Sequence, residues 1–513
     1  MKSKSKISFL KNRSKSFSQF LEEHFWVVIG LLILLFAGLS LGIGLPQSVW
    51  FDEAYSITLA KKPVSELIHL TAIDVHPPIY YLFLHFWGDI FGFGEFSLRF
   101  SSVMTMTTAI VLMAILIKHL FDKRFAIFAT FLLCLSPMLI RYGFEIRMYA
   151  LATMIAVLAT LVLFFMEKEK NIKKYHFLQI IYAALIAVGM LTLYYTIVIW
   201  LTHFVYLIWR TIRDKKPIFR QDFWLMYILA VLFFSPWFLT MIKQFTNGAL
   251  AQISEPMTIN NILGVFSFNL LYKPIWQLSQ IGGLFILGFI ILIGILFVRS
   301  LKNDSKNNTF LTFLAAGPLV IEIIICLVKP MYVERYLVYS TPFLITLIAY
   351  LVFKTQDKVR YVSILFLFGL LIVGIFNLKQ IGNFNFQRMQ RPNIKELSEA
   401  IKEADHRKII PIFADSPYEA TELSYYLGNE IYFYAPYEEL AGGYAPLNKS
   451  KYQIKNDQEL KKFNCVRYTY YDTKIASLLE KQGFRKTQDE QTDHALKYTD
   501  YCKKIDVQDK TNF

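Results

Sequence analysis

The 513-residue chain is short of cysteine, with four, and short of charged residues, at 18%. Four cysteines say little about the fold. Low charge beside 55% hydrophobic residues excludes a disordered, solvating chain. Acids are the scarcer sign, 39 against 54 Lys and Arg, leaving a net charge of +15. No clear internal repeat, coiled coil or low-complexity segment is found. A clear small-x-small cleavage site is missing where the first apolar run exits into Pro46–Gln47–Ser48–Val49–Trp50, so that run reads as a retained helix.

What the chain has in plenty is long apolar runs. They extend for roughly 16 to 21 residues, enough to cross a hydrocarbon core of about 30 Å as helices. Spans are expected near 26–45, 98–117, 125–140, 148–166, 178–193, 196–210, 224–241, 281–298, 310–328, 336–353 and 361–378. That makes about eleven crossings.

Lysine and arginine set the orientation, because short loops rich in them stay cytoplasmic. They crowd the N-terminal tail and alternate loops, among them Lys118/Lys123/Arg124, Lys168 to Lys174, Arg210 to Lys216, Arg299 to Lys306 and Lys354 to Arg360. The expected chain is a multi-pass cell-membrane protein with its N-terminus cytoplasmic and its C-terminus outside. Anionic headgroups of membrane lipid account for the positive charge, and no nucleic-acid partner is needed.

Two soluble regions interrupt or follow the spans. Residues 46–97 form an outer loop too long for a connector. Within it Pro63 to Leu70 reads as a short amphipathic helix, and 78–91 as an aromatic helix lying in the interface. After about residue 379 the sequence turns polar. Strand-like runs at 408–413, 430–434 and 465–470 alternate with helical patterns at 393–404, 418–427 and 473–482. The expected organisation is a transmembrane domain, 1–378, and an extracytoplasmic α/β domain, 379–513. Cys134 and Cys326 fall within spans as small buried hydrophobes. Cys465 and Cys502 lie where oxidation is permitted, and a bond between them is open, since sequence gives no geometry.

Four groups of residues can carry chemistry, and all fall at the expected outer surface. Asp52 and Glu53 follow Trp50–Phe51, where desolvating adjacent carboxyls is costly. Asp52 suits a general base with Glu53 in a supporting role; equally, both could start a hydrated helix. Asp74 and His76 precede Pro77–Pro78 and Tyr80. They could orient a substrate hydroxyl or help hold a divalent metal ion, though scattered ligands make weak metal sites. A plainer reading has His76 as a hydrogen-bonded elbow and Asp74 as the cap of the helix starting near Pro78. Tyr80, Tyr81 and Trp87 could stack on a sugar, and interface anchoring is the favoured reading.

The third group is Arg141, Glu145, Arg147 and Tyr149, and the fourth Lys329, Glu334, Arg335 and Tyr336. Guanidinium forks grip phosphate oxygens, although snorkelling anchors look the same in sequence.

In their order and spacing, Trp50–Phe51–Asp52–Glu53, Asp74–x–His76–Pro77–Pro78–x–Tyr80, Arg99 with Ser101–Ser102, Arg141 to Tyr149 and Glu334–Arg335–Tyr336 resemble the membrane glycosyltransferases of the C-type fold. The group they are most similar to is that of dolichyl-phosphate-mannose protein mannosyltransferases and aminoarabinose transferases. The resemblance covers roughly residues 26–378. It implies a sugar donor carried on a polyprenyl phosphate, an extracytoplasmic acceptor, Asp52 as catalytic base, and Arg141, Arg147 and Arg335 at the donor phosphate. The implied reaction is inverting. The chain lacks the large insertion between middle spans that eukaryotic protein mannosyltransferases carry. The rival class is a transporter or lipid flippase, for which Glu322 is the main mid-span acid. A third reading is a scaffold displaying residues 379–513.

Overall fold

The structure is a computed structural model that describes residues 19–218, 222–246, 258–273, 277–300, 305–329, 332–355, 357–381, 394–405, 410–414, 416–428, 431–434, 452–470, 474–491 and 497–503. Its contacts divide the chain into two units, 1–44, 76–83 and 96–380 in one, 45–75, 84–95 and 381–513 in the other.

The first unit is helical. It contains α1 (Phe25–Gly44), then, after the helices of the outer loop, α2 (Phe51–Ala60), α3 (Val64–Ile73) and α4 (Ile79–Phe91), the long α5 (Glu95–Leu120). Next come α6 (Lys123–Cys134), α7 (Pro137–Phe144), α8 (Tyr149–Met166), α9 (Ile172–Met190), α10 (Ile197–Arg213) and α11 (Phe223–Thr246). The series ends with α12 (Ile259–Leu271), α13 (Gln280–Ser300), α14 (Lys306–Val328), α15 (Thr341–Phe353) and α16 (Asp357–Ile381).

Among the described residues nine helical segments are long and apolar enough to cross a membrane, or ten if the bent pair α6–α7 is one span. The chain is therefore a polytopic α-helical membrane protein, with fewer such segments than the eleven expected. Two places account for the difference. The run at 125–140 is not one straight span: α6 and α7 meet at 61°. The cause is Ser136–Pro137, since proline ends a helix at the residue before it. Ser136 Oγ then accepts from Leu139 N–H, starting α7 afresh. The run at 178–193 forms α9, but its opening turns carry Lys173, Lys174 and His176, which dilute its apolar content.

Burial sorts the helices. The segment Glu334–Phe353 is 94% buried and sits at the centre, whereas 17% of α13 is buried. Exposed apolar side chains such as Leu284 and Leu365 are what lipid-facing surfaces require. Buried polar groups are paired across helices. His203 on α10 meets Tyr182 Oη of α9 at 2.7 Å and Thr160 Oγ1 of α8 at 3.1 Å.

In the second unit, six strands form a mixed sheet in the order β3-β2-β1-β4-β6-β5. They are β1 (Ile412–Ala414), β2 (Tyr432–Tyr434), β3 (Gln453–Ile454), β4 (Cys465–Tyr470), β5 (Phe484–Gln491) and β6 (Lys497–Lys503). β1 to β4 pair in parallel, and β6 runs antiparallel to β4 and β5. The helices are α17 (Ile394–Asp405), α18 (Pro417–Leu427) and α19 (Lys474–Lys481). Alternation along β1 separates two cores. Ile412 and Ala414 pack with Leu397, Ile401 and Leu423, while Phe413 packs with Val466, Tyr468 and Leu479 on the other face. Cys465 and Cys502 are opposite one another across β4 and β6 and are disulfide-bonded. Cys134 and Cys326 are buried and free.

Candidate active site

α2 presents the first acids. The Trp50 backbone N–H donates to Glu53 Oε2 at 3.1 Å, so Glu53 caps the helix from within its first turn. Glu53 is 1% exposed, and Phe51 and Ala54 beside it are buried. Asp52 is the acid in this turn that keeps part of its surface open. Its backbone carbonyl accepts from Ser56 Oγ at 2.7 Å. Asp74 is buried and closes the C-terminus of α3, its backbone N–H donating to the Thr71 carbonyl at 3.3 Å.

Tyr80 and Tyr81 lie in the first turn of α4, 1% and 0% exposed, in T-shaped contact with each other. Interface anchoring is thus corrected for both, because their rings pack inside the protein. Trp87 is partly exposed and tilts against Phe91.

In the helical unit, the third and fourth motifs converge. On α7, Arg141 reaches Glu145 one turn on at the helix end, Nη1 to Oε2 3.5 Å, with both side chains nearly fully buried. Ser102 Oγ of α5 donates to the Glu145 carbonyl at 2.7 Å. Arg99, buried on α5, reaches the Phe144 carbonyl at 3.4 Å. The Phe144 ring lies between two cations, Arg141 Cζ at 5.0 Å and Arg99 Cζ at 5.7 Å from its centroid.

Three residues past Phe144, Arg147 Nη2 donates to His76 Nε2 at 3.1 Å. Nε2 is therefore the acceptor, and the remaining imidazole proton is on Nδ1. Burial lowers the His76 pKa well below its ordinary value, helped by the positive charges of Arg147 and then Arg335. Arg335 opens the 3₁₀ turn Glu334–Ser340 and stands 5.7 Å from the Tyr336 ring. Tyr336 joins Tyr149, at 6.4 Å, to Tyr195, at 4.6 Å. The structure thus brings His76, Arg147, Arg335, Tyr149 and Tyr336 together, with Arg141, Glu145 and Arg99 adjacent in the chain or through Phe144. Lys329 is exposed at the end of α14, outside this group.

Sequence reasoning missed three members. Phe144 stood inside a quoted motif without a role. Tyr195 follows an apolar run with no motif of its own. Tyr272, at the end of α12, adopts a left-handed φ of 48° and hydrogen-bonds with Arg141 and Tyr142. Burial raises its phenol pKa, so the hydroxyl keeps its proton.

A divalent ion finds no set of ligands here. Among the described residues no group of three or more His, Cys, Asp or Glu could hold a metal. His76 Nε2 is already occupied by a guanidinium donor, which a cation would have to displace. What the arrangement can do is bind an anion: four arginines, a neutral histidine and several phenols offer donors in a partly dry setting.

A family model described as dolichyl-phosphate-mannose-protein mannosyltransferase matches residues 75–239, the stretch holding His76 and Arg141 to Tyr149. The chain is similar to the crystal structure of ArnT from Cupriavidus metallidurans in the apo state, at 12% identity and a TM-score of 0.62 over 91% of this chain and 97% of that one. For the same protein bound to undecaprenyl phosphate the TM-score is 0.63 at 13% identity, over 93% of this chain and 98% of that one. The apo oligosaccharyltransferase of Archaeoglobus fulgidus gives a TM-score of 0.52 at 12% identity, over 80% of this chain and 64% of that one. No curated protein matches the chain in sequence. The chain shares the fold of these proteins, the C-type fold that its motif order implied.

Proposed function

We propose that the chain is an integral membrane glycosyltransferase that moves a sugar from a polyprenyl phosphate to a hydroxyl of an extracytoplasmic acceptor. The observation that carries this reading is the part-buried contact of Arg147 with His76, with the charge of Arg335 acting on the same ring, in a chain with the fold of a protein solved with undecaprenyl phosphate.

The acceptor oxygen attacks the anomeric carbon, and the bond from that carbon to the phosphate oxygen breaks. Asp52 takes the hydroxyl proton, and the polyprenyl phosphate leaves with the bonding pair. Arg147 and Arg335 offset the charge growing on the leaving phosphate. Arg141 is held by Glu145 and supports the turn that carries Arg147. Tyr149 and Tyr336 line the approach to the phosphate, and Glu53 and Asp74 shape the acidic segment. The basic loops support a cytoplasmic N-terminus and an extracytoplasmic 379–513.

A transporter reading finds less support. Glu322 is buried mid-helix, and its carboxyl accepts from Cys326 Sγ at 3.5 Å one turn away. That contact lies within a single helix and is not a relay across the bundle.

The donor assignment is tested by binding of radiolabelled undecaprenyl phosphate to purified protein. Arg147→Gln and Arg335→Gln should each weaken binding about tenfold, the scale of one lost charge-assisted hydrogen bond. Unchanged binding in both variants would remove the phosphate site.

A further inference from the structure

Residues 45–75 belong to the same compact unit as residues 381–513. Within that unit, helices of the C-terminal region hold three of the four residues that lead into Asp52. The Lys395 backbone N–H at the start of α17 donates to Ser48 Oγ at 3.2 Å. The Val49 backbone N–H donates to Tyr426 Oη of α18 at 2.6 Å. Phe51 packs edge-on against Tyr418, also on α18, with centroids 4.8 Å apart. Lys395 Nζ adds an ion pair to Glu95 at 3.3 Å and reaches the Leu45 carbonyl at 3.5 Å.

Apart from the Glu95 ion pair, these contacts fall on one short stretch, residues 45–51. Ser48, Val49 and Phe51 are buried, whereas Asp52 directly after them is partly open. The stretch is extended at Trp50 and turns helical at Phe51, so its backbone makes no ladder of its own before α2 begins. Buried backbone N–H groups need partners, and Val49 finds its partner on α18. Tyr426 is therefore suited to fix where α2 starts and how Asp52 is presented.

Resting on the glycosyltransferase reading, we propose that Tyr426, with Lys395 and Tyr418, is a positioning residue. On this view the α/β domain braces the segment that presents the base. The brace acts on the chemical step, because it sets the base without touching the donor phosphate.

The test compares wild type, Tyr426→Phe, Tyr425→Phe and Asp52→Asn in full-length purified protein, with an undecaprenyl-phosphate sugar as donor. Tyr425 is the control: it is on the same helix, but its hydroxyl reaches the Phe93 carbonyl at 3.4 Å instead. Tyr426→Phe should lower kcat about tenfold with donor KM unchanged. It should also speed amide hydrogen exchange over residues 45–60, a readout that needs no turnover. Tyr425→Phe should leave kcat and that exchange at wild-type values. If Asp52→Asn is inactive but Tyr426→Phe keeps wild-type kcat and exchange, the brace is refuted and the function stands. A loss of kcat equal in the two tyrosine variants also refutes it, since that reports general loosening. If Asp52→Asn turns over normally, the glycosyltransferase reading falls, and the brace falls with it.

Discussion

Arg147 donates to His76 Nε2 across 3.1 Å, and the two residues come from motifs 71 positions apart. The contact fixes a neutral histidine beside a cation. It holds both together where a second cation, Arg335, is close enough to act on the same ring.

This relationship has a pH consequence. The folded pKa of His76 is lowered, while an unfolded histidine takes up its proton near 6.5. Its contribution to stability is then complete above about pH 6.5 and is lost as pH falls toward the folded value. Thermal unfolding in detergent between pH 7.5 and 5 should show a steeper acid loss for wild type than for His76→Gln. Equal slopes would mean that His76 gains its proton freely in the folded protein.

The Arg141–Glu145 pair is buried on both sides, so removing one partner strands the other. Glu145→Ala should cost about 3–5 kcal/mol, read as a fall in unfolding temperature and in monodisperse yield. A change within experimental error would show that water or another group takes over the carboxyl's place.

Glycine is required at one position in α1 and not at its neighbour. A Cβ at Gly44 would stand 2.6 Å from Phe144 Cγ, whereas one at Gly42 meets nothing within 4 Å. Gly44→Ala should destabilise by about 1–3 kcal/mol through overpacking against the ring that Arg99 and Arg141 flank. Gly42→Ala should not destabilise. The same thermal assay separates the two, and equal effects would contradict the packing.

The disulfide closes a stretch of 37 residues across β4 and β6. Cys465→Ser with Cys502→Ser should lose roughly 2–4 kcal/mol from the α/β domain. Limited proteolysis should then release fragments from 465–503 that are protected in the oxidised wild type. Identical cleavage patterns would count against a stabilising role.

Much of the architecture is legible in the sequence because apolar period and length are local properties. The strands at 412–414, 432–434 and 465–470 overlap the strand-like runs at 408–413, 430–434 and 465–470 that the sequence marks. β5 and β6 escape, since Phe484–Gln491 and Lys497–Lys503 are too charged to read as strands and gain their pairing from β4. The break at Ser136–Pro137 was visible in principle, but the apolar run around it masked it.

The site divides in the same way. Arg141, Arg147 and Arg335 stand out because each falls in a motif at the expected outer surface, where guanidinium groups suit a phosphate. Tyr195 and Tyr272 do not, since tyrosine is common at membrane interfaces. Only the fold shows which phenols turn inward.

The central claim is that Asp52 is the base of a sugar transfer from a lipid phosphate. Its most direct test is release of radiolabelled sugar from synthetic undecaprenyl-phosphate sugars by purified protein with cell-envelope acceptors, wild type against Asp52→Asn. The account predicts release by wild type and a loss of at least about 10²-fold in the variant, the scale of general base catalysis. Turnover by Asp52→Asn at the wild-type rate, or no release by wild type from a panel covering the plausible donor sugars, would contradict it.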